Sequence, residues 1–168
     1  KKLVESIGKP LILDADGLFP YSNSINELSR KQTPLIITPH FGEFSRLINI
    51  AVEDIISNFP TIMEDTLKLF SHTLLIKQVP ICTLKKNKAV VNVTGNPGLA
   101  TAGTGDILSG ILASFLSSGL NSFDAATVGA FVQGKASDEL LYHKGIRGQI
   151  ASDLLETIPP VISKYELS

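Results

Sequence analysis

A glycine-rich segment followed by an aspartate is the part of this sequence best suited to chemistry. It runs from Gly95 to Asp106 as Gly-Asn-Pro-Gly-Leu-Ala-Thr-Ala-Gly-Thr-Gly-Asp, and an apolar stretch typical of a helix follows it. Glycine lets a ligand approach the backbone closely, and the first turn of a helix presents free N–H groups and the positive end of its dipole. The segment therefore predicts an anion site, for which phosphate is the common ligand. It lacks the Gly-Lys-Ser/Thr ending of a Walker loop.

Asp106 falls in the first turn of that predicted helix, where its type and place permit two interpretations. A carboxylate beside a transferring phosphate can take the proton of a hydroxyl while the hydroxyl oxygen attacks phosphorus. The helix N-terminus would meanwhile stabilise the charge on the phosphoryl oxygens. In the other interpretation Asp106 only favours the helix dipole, and Thr104 is the N-cap residue. The residues alone leave both interpretations open.

The elements that must position this segment alternate between strands and helices. Apolar runs bounded by turn residues predict strands at Pro10–Asp14, Pro34–Thr38, Thr73–Lys77, Ile81–Leu84 and Ala89–Val93, the last two as a hairpin. Helices are predicted at Ser24–Lys31 (short and polar), Glu43–Asn49, Val52–Phe70 (interrupted at Pro60), Thr104–Ser118, Phe123–Tyr142 and Ile150–Ile158. Apolar residues at helical spacing form a wide stripe in Thr104–Ser118. Because the strand runs lack a period of two, their sheet is covered on both faces. The predicted fold class is α/β with a mainly parallel sheet.

Composition excludes several classes of protein. The chain has 168 residues, with 15 Lys and Arg against 16 Asp and Glu, a net charge of −1. That balance argues against a nucleic-acid binder and against a polybasic membrane-surface module. The one cysteine, Cys82, excludes an internal disulfide and a thiolate metal cage. No apolar segment resembles a signal peptide or is long enough to span a bilayer, so the default prediction is a cytoplasmic protein.

The length predicts a single domain over residues 1–168. Because the chain opens almost directly into a strand, we expect this domain to be incomplete at its N-terminus. Cys82 is predicted to be a strand residue, and His72 and His143, which lack ligand spacing, to lie at the surface. Four small residues predict close packing of the helix over residues 123–142: Gly129, Ala130, Gly134 and Ala136.

Three segments together resemble the ADP/ATP-dependent NAD(P)H-hydrate dehydratases of the ribokinase-like superfamily. Residues 96–106 look like the family's glycine-aspartate signature. Leu-Asp-Ala-Asp-Gly-Leu at residues 13–18 is similar to its Asp-Ala-Asp-Ala-Leu strand end. Thr-Pro-His-Phe-Gly-Glu-Phe at residues 38–44 is similar to its Thr-Pro-His-Pro-Gly-Glu-Phe turn. The resemblance covers essentially the whole chain and corresponds to the C-terminal part of the family domain. It implies a ribokinase-like three-layer sandwich.

The resemblance also implies an activity. These enzymes use ADP or ATP to phosphorylate the ring hydroxyl of hydrated NAD(P)H, after which phosphate leaves and NAD(P)H is restored. By this analogy Asp106 is the base and lies against the substrate, and His40 contacts the substrate. By the same analogy, the residues that bind the nucleotide are Lys77, Gln78, Val79, Pro80, Ile81, Asn96, Gly103, Thr104 and Gly105.

In this family, Mg²⁺ usually accompanies the nucleotide. Hydrated NAD(P)H and ADP or ATP are the implied small-molecule partners, and a homo-oligomer, in the family a homotetramer, is expected. A missing N-terminal segment or fused epimerase domain would complete the protein.

Structural alternatives stand beside several of these roles. His40 can be a histidine hydrogen-bonded within its turn, and Lys77 an ordinary surface lysine at a strand end. Glu43 is expected to be structural, because a carboxylate in the first turn of a helix is favourable by itself. Turn formation and capping are the expected uses of Asp14 and Asp16. Asn92 and Asn96 can bind nucleotide or only the backbone of their own loop.

The sequence departs from the family at three positions. Phe41 replaces the proline of the histidine turn, Gln78 replaces a glycine after Lys77, and Phe19 stands where asparagine is frequent. Because Gln78 has a side chain where the family has glycine, the nucleotide is not expected to approach the backbone as closely at this position. Two alternative functions remain: a vitamin-precursor kinase of the same superfamily, acting on hydroxyethylthiazole or hydroxymethylpyrimidine, and a nucleotide-binding remnant without chemistry.

Overall fold

A five-stranded sheet is the centre of the fold in this computed structural model, which describes residues 1–166. The strands are β1 (Leu11–Leu13), β2 (Leu35–Ile37), β3 (Thr73–Ile76), β4 (Ile81–Lys85) and β5 (Lys88–Asn92), in that spatial order. β1, β2 and β3 are parallel, whereas β4 is antiparallel to both β3 and β5. The sheet is therefore mixed rather than mainly parallel, because connections as short as those around β4 can only reverse the chain.

Eight α-helices surround the sheet in the described residues. They are α1 (Lys2–Ser6), α2 (Ile25–Leu28), α3 (Phe41–Ile48), α4 (Val52–Ser57), α5 (Phe59–Leu69), α6 (Thr104–Ser117), α7 (Ser122–Lys144) and α8 (Ala151–Ser163). The predicted break at Pro60 occurs instead at Asn58, since Pro60 lies in the first turn of α5, where its missing N–H is harmless. α8 continues past Ile158 through Pro159 and Pro160, because Val161 beyond them is buried against α7. The short helix α1 was not predicted.

The core confirms that the sheet is covered on both faces. In β2, Leu35 and Ile37 point into a cluster with residues of α3, α4 and α5, while Ile36 points to the opposite face. There it packs with Leu108 of α6 and Ala126 of α7. Alternate side chains of one strand thus enter two separate clusters, which is the arrangement of a three-layer sandwich. No helix within residues 1–166 has the length and apolar character needed to cross a membrane.

Helix α7 packs very closely on its neighbours, as its small residues predict. A Cβ added at Gly129 would lie 2.4 Å from the Leu112 side chain of α6. At Gly134 it would lie 2.2 Å from Oγ1 of Thr94 and 2.7 Å from the Thr94 carbonyl carbon. Thr94 directly precedes the glycine-rich segment, so this close contact fixes the start of that segment against α7.

The residues outside the main motifs are mostly where they were predicted to be. Cys82 is buried in β4, and His143 is exposed at the end of α7. The prediction for His72 was wrong, because its ring packs edge-on against Phe70 and its Nε2 atom is buried with no hydrogen-bond partner among residues 1–166. Burial lowers the pKa of His72, since the charged imidazolium loses its hydration there.

Candidate functional site

The C-terminal ends of the three parallel strands bring the predicted polar residues together. Asp14 follows β1, His40 lies three residues beyond β2, and Lys77 follows β3. His40 and Lys77 form a parallel bridge beyond the ends of their strands, and the Lys77 amide donates to the Pro39 carbonyl at 2.9 Å. This edge of a parallel sheet is where α/β proteins place their ligands.

A cavity of about 530 Å³ lies between this edge and the glycine-rich segment. Most of the predicted site residues line it: His40, Lys77, Gln78, Val79, Pro80, Ile81, Asn96, Thr104 and Gly105. Gly103 and Asp106 are not among its lining residues. The cavity is of the size that small-molecule ligands occupy, and apolar atoms form most of its wall.

The glycine-rich segment takes a conformation that depends on glycine at two of its positions. Gly95 and Gly103 have φ angles of 98° and 88°, in the left-handed region. Gly103, not Thr104, is the N-cap residue of α6, and it makes no side-chain cap bond. The Thr104 hydroxyl instead donates to the carbonyl oxygens of Leu99 and Thr101, at 2.7 and 2.9 Å. Thr104 thus ties the loop back onto itself while it lines the cavity.

A buried polar network that sequence reasoning missed holds this loop from behind. Asn96 donates from Nδ2 to Oγ of Ser137 at 2.8 Å, and Ser137 donates to Oε1 of Gln149 at 2.8 Å. Gln149 returns a bond from Nε2 to Oδ1 of Asn96 at 3.3 Å, closing the network. Asp138 accepts from the Gly95 amide at 3.0 Å. The sequence did contain a signal for this network: polar residues such as Ser137 lie among the small residues of α7, a helix predicted to pack closely on the core.

This network decides what Asn96 does with its side chain. Oδ1 of Asn96 also accepts from the Gly98 amide at 2.9 Å, so both ends of the amide group are engaged by the protein. The side chain therefore shapes the loop, although the residue lines the cavity. Asn92 is likewise structural, because it donates to the Ala130 carbonyl of α7 at 3.1 Å.

The N-terminus of α6 presents free hydrogen-bond donors. Within residues 1–166, the amides of Gly105 and Asp106 donate to no protein acceptor, whereas the amides of Thr104 and Ile107 do. The Asp106 side chain is exposed and makes no hydrogen bond or ion pair within the described part of the chain. Free amides, the helix dipole and an unpaired carboxylate thus meet at one point. This arrangement can bind an anion and accept a proton beside it.

Asp106 faces a different side of α6 from the cavity. One turn further along the same helix face, Ser109 lines a groove between α6 and β1. Asp14 lines the same groove, whereas Lys77 lines the cavity. Gly105 lies between the two spaces, because a Cβ added there would be 3.4 Å from Oδ2 of Asp14 and 3.7 Å from Nζ of Lys77.

Two carboxylates contact Lys77. Its Nζ atom lies 2.5 Å from Oδ1 of Asp14 and 3.9 Å from Oε2 of Glu43. Lys77 is thus a partly buried ion-pair residue rather than an ordinary surface lysine, with 22% of its side chain exposed. Asp14 begins a short 3₁₀ turn but makes no side-chain cap bond, so its carboxylate serves the ion pair and not the predicted capping role. Asp16, by contrast, is exposed.

His40 and Glu43 form a reciprocal cap at the start of α3. Nδ1 of His40 accepts from the amides of Gly42 and Glu43 at 3.0 and 3.3 Å. Oε2 of Glu43 in turn accepts from the His40 amide at 2.9 Å. Glu43 is structural, as predicted. Because Nδ1 is an acceptor, the ring proton of neutral His40 is on Nε2, which lies 3.5 Å from Oε1 of Glu43.

Known proteins resemble the chain along nearly all its length. The bifunctional NAD(P)H-hydrate repair enzyme Nnr of Moorella thermoacetica is 34% identical over 167 residues, 99% of this chain and 32% of that protein. An ADP-dependent (S)-NAD(P)H-hydrate dehydratase of Neisseria meningitidis is 35% identical over 156 residues, 90% of this chain and 53% of that protein. The chain thus spans about a third to a half of these relatives.

Solved structures confirm the fold. The ADP/ATP-dependent NAD(P)H-hydrate dehydratase of Bacillus subtilis, co-crystallised with ATP and Mg²⁺ and soaked with CoA, superimposes with a TM-score of 0.84. The match covers 94% of this chain and 57% of that one at 23% identity. A hydroxyethylthiazole kinase of Pyrococcus horikoshii shares the fold at a TM-score of 0.65 and 18% identity, over 93% of this chain and 63% of its own. The fold alone does not separate the two activities.

The sequence match distinguishes between the two families. A profile of the NAD(P)H-hydrate dehydratase family matches residues 2–160, which include all three segments that carry the resemblance. The chain therefore belongs to the NAD(P)H-hydrate dehydratase family.

Proposed function

We propose that this chain carries the nucleotide site and the catalytic base of an enzyme that restores NAD(P)H from its hydrated form. The N-terminus of α6 carries the proposal, because two free amides and the unpaired Asp106 carboxylate meet there beside the cavity. We take hydrated NAD(P)H as the substrate and ADP or ATP as the phosphoryl donor because the relatives are ADP- or ADP/ATP-dependent NAD(P)H-hydrate dehydratases. The chain spans only part of those relatives, so the activity of the whole protein is part of the proposal.

In the proposed reaction the nucleotide occupies the cavity and its terminal phosphate lies at the amides of Gly105 and Asp106. Asp106 takes the proton of the ring hydroxyl while the hydroxyl oxygen attacks phosphorus. The bond from phosphorus to the nucleotide breaks, which releases AMP from ADP or ADP from ATP. The ring nitrogen then supplies an electron pair, the carbon–oxygen bond breaks, and phosphate leaves with its electrons. Loss of a proton from the neighbouring ring carbon completes NAD(P)H.

The chain's own groups stabilise the charge that this transfer develops. The α6 N-terminus directs its amides and dipole at the phosphoryl oxygens. Lys77 adds an ammonium near Gly105. His40 lines the cavity and uses Nδ1 for the helix cap, so Nε2, 3.5 Å from Oε1 of Glu43, is its remaining hydrogen-bond donor. We assign this donor to the substrate.

The residues present fit a magnesium ion that arrives with the nucleotide. Within residues 1–166 no group of three or more His, Cys, Asp or Glu side chains could hold a metal by itself. Mg²⁺ prefers phosphate oxygens and water and needs few protein ligands. Bound in this way, it would neutralise charge on the phosphates.

The single-domain assignment, the cytoplasmic location and the homo-oligomeric state remain predictions.

The test is the return of the reduced-nicotinamide absorbance from hydrated NADH. Purified protein is assayed with Mg²⁺ and either ADP or ATP. Asp106→Asn should lower turnover by about a hundredfold or more while nucleotide affinity stays within about tenfold. The matched control is Asp124→Asn, which changes the same residue type in the first turn of α7, where Asp124 pairs with Asn121. We expect this control to keep wild-type turnover.

Three results would contradict the proposal in different ways. Equal turnover in Asp106→Asn would remove Asp106 as the base. Nucleotide binding without recovery of NADH in the wild-type protein would favour a non-catalytic role. Phosphorylation of hydroxyethylthiazole or hydroxymethylpyrimidine in place of recovery would show a vitamin-precursor kinase.

A further inference from the structure

We propose that Asp14 is a positioning residue, which holds the Lys77 ammonium at the N-terminus of α6 so that Lys77 serves the transferred phosphoryl group. This inference rests on the proposed function, since it names a group that the phosphoryl transfer needs. The resemblance to the family assigned Lys77 to nucleotide binding, whereas turn formation or capping was expected of Asp14. The structure shows the turn but no side-chain cap bond, so the Asp14 carboxylate is free for another role.

The geometry places the ion pair directly against the helix N-terminus. Oδ1 of Asp14 lies 2.5 Å from Nζ of Lys77, and the two side chains are 17% and 22% exposed. Gly105, whose amide is one of the two free amides, lies against the pair, because a Cβ added there would lie 3.4 Å from Oδ2 of Asp14 and 3.7 Å from Nζ of Lys77. The ammonium therefore lies close to where the helix N-terminus would bind a phosphate.

Asp14 also determines which of two carboxylates the lysine pairs with. The other, Glu43, has its Oε2 atom 3.9 Å from Nζ, and that oxygen already accepts from the His40 amide. A lysine side chain has many rotamers, so an unpaired ammonium would move among them or toward Glu43. The short contact with Asp14 selects the rotamer that points to α6. An ammonium has three donors, so the contact leaves Lys77 able to bind a phosphoryl oxygen.

This arrangement predicts that the loss of Asp14 slows turnover without weakening nucleotide binding. The Asp14 carboxylate is a negative charge close to the phosphate position, so its removal should not weaken nucleotide binding in the ground state. Without it the lysine is no longer held beside the reacting group, and phosphoryl transfer should slow. A residue needed only for folding would instead lower kcat and raise KM together, or lower the amount of folded protein.

The kinetic experiment compares wild-type protein with Asp14→Asn and Asp14→Glu. We expect Asp14→Asn to lower kcat by at least about tenfold while KM for the nucleotide stays within about threefold. Asp14→Glu keeps a carboxylate that can reach Lys77 and should recover most of the lost kcat. The control is Asp65→Asn, because Asp65 pairs with Lys68 at 2.6 Å on the exposed surface of α5. An unchanged kcat in Asp14→Asn, or no recovery in Asp14→Glu, would overturn the inference.

A second measurement does not depend on turnover. Each protein is treated briefly with an amine-reactive acyl ester, and the modification of each lysine is measured by peptide mass spectrometry. Release from the ion pair should make Lys77 react at least about threefold faster in Asp14→Asn, with Lys68 unchanged as the internal reference. An unchanged rate at Lys77 would overturn the role of Asp14. If the wild-type protein shows no recovery of NADH, the proposed function fails, and this labelling still decides whether Asp14 holds Lys77.

Discussion

The contact between α7 and Thr94 allows a sharp prediction about the stability of this protein. An alanine Cβ at Gly134 would lie 2.2 Å from Oγ1 and 2.8 Å from the carbonyl oxygen of Thr94, well inside van der Waals contact. The hydroxyl cannot simply rotate away without loss, because it donates to the carbonyl of Phe131 and to Oδ1 of Asn92. The backbone at Thr94 must therefore move away from α7.

The magnitude follows from two opposing terms. Overpacking against a backbone that must shift costs about 3 kcal/mol, the upper part of its usual range. Replacement of glycine by alanine inside a helix returns about 1 kcal/mol. Gly134→Ala should thus lower the free energy of unfolding by about 2 kcal/mol. Gly110 in α6 is the matched control, because a Cβ there has nothing within 4 Å. Gly110→Ala should raise the free energy of unfolding by about 1 kcal/mol.

Urea unfolding of the two variants and the wild-type protein, followed by circular dichroism, measures this difference. The same substitution in two helices should give shifts of opposite sign, about 3 kcal/mol apart. A Gly134→Ala variant as stable as Gly110→Ala would refute the packing argument. Wild-type stability for both would show that neither the contact nor helix propensity acts as described.

Two further predictions concern buried polar groups. Because burial lowers the pKa of His72, the folded protein binds this proton more weakly than the unfolded chain. Stability should therefore fall as the pH drops from about 7 to about 5, and His72→Phe should make this fall smaller in urea titrations at the two pH values. Gln149→Ala removes the acceptor of the buried Ser137 hydroxyl and one of the donors to Oδ1 of Asn96, so it should lower the free energy of unfolding by about 2–3 kcal/mol. A Gln149→Ala variant with wild-type thermal stability would contradict this.

Much of the fold could be predicted because its signals are local. Apolar runs, turn residues and helical periodicity each act over a few residues, and they placed every strand within two residues of its observed ends. Where these predictions differ from the structure, packing overrides the local signal. α8 passes through Pro159 and Pro160, where it packs on α7 through the buried Val161 and the partly buried Ile158 and Ile162.

The candidate site was only partly predictable. The glycine-rich segment was recognisable because a phosphate-binding helix start needs its residue types in one continuous stretch. The pairing of Asp14 with Lys77 and the bonds among Asn96, Ser137 and Gln149 join residues far apart in the sequence. The apolar periodicity of the sequence does not indicate such contacts, because they depend on how separate helices and strands pack together. The position of Asp106 outside the cavity wall likewise depends on the rotation of α6.

The mixed direction of the sheet bears on the order in which the protein folds. β4 and β5 form a local hairpin, with Asn87 in its turn at a φ angle of 63°, and such hairpins form within microseconds. β1 can pair with β2 only after a long connection closes, and such non-local contacts slow folding. We therefore expect β1, at the edge of the described sheet, to join late and to open first. Opening of β1 would carry Asp14 away from Lys77, so hydrogen exchange at Leu11–Leu13 should report loss of the site before global unfolding.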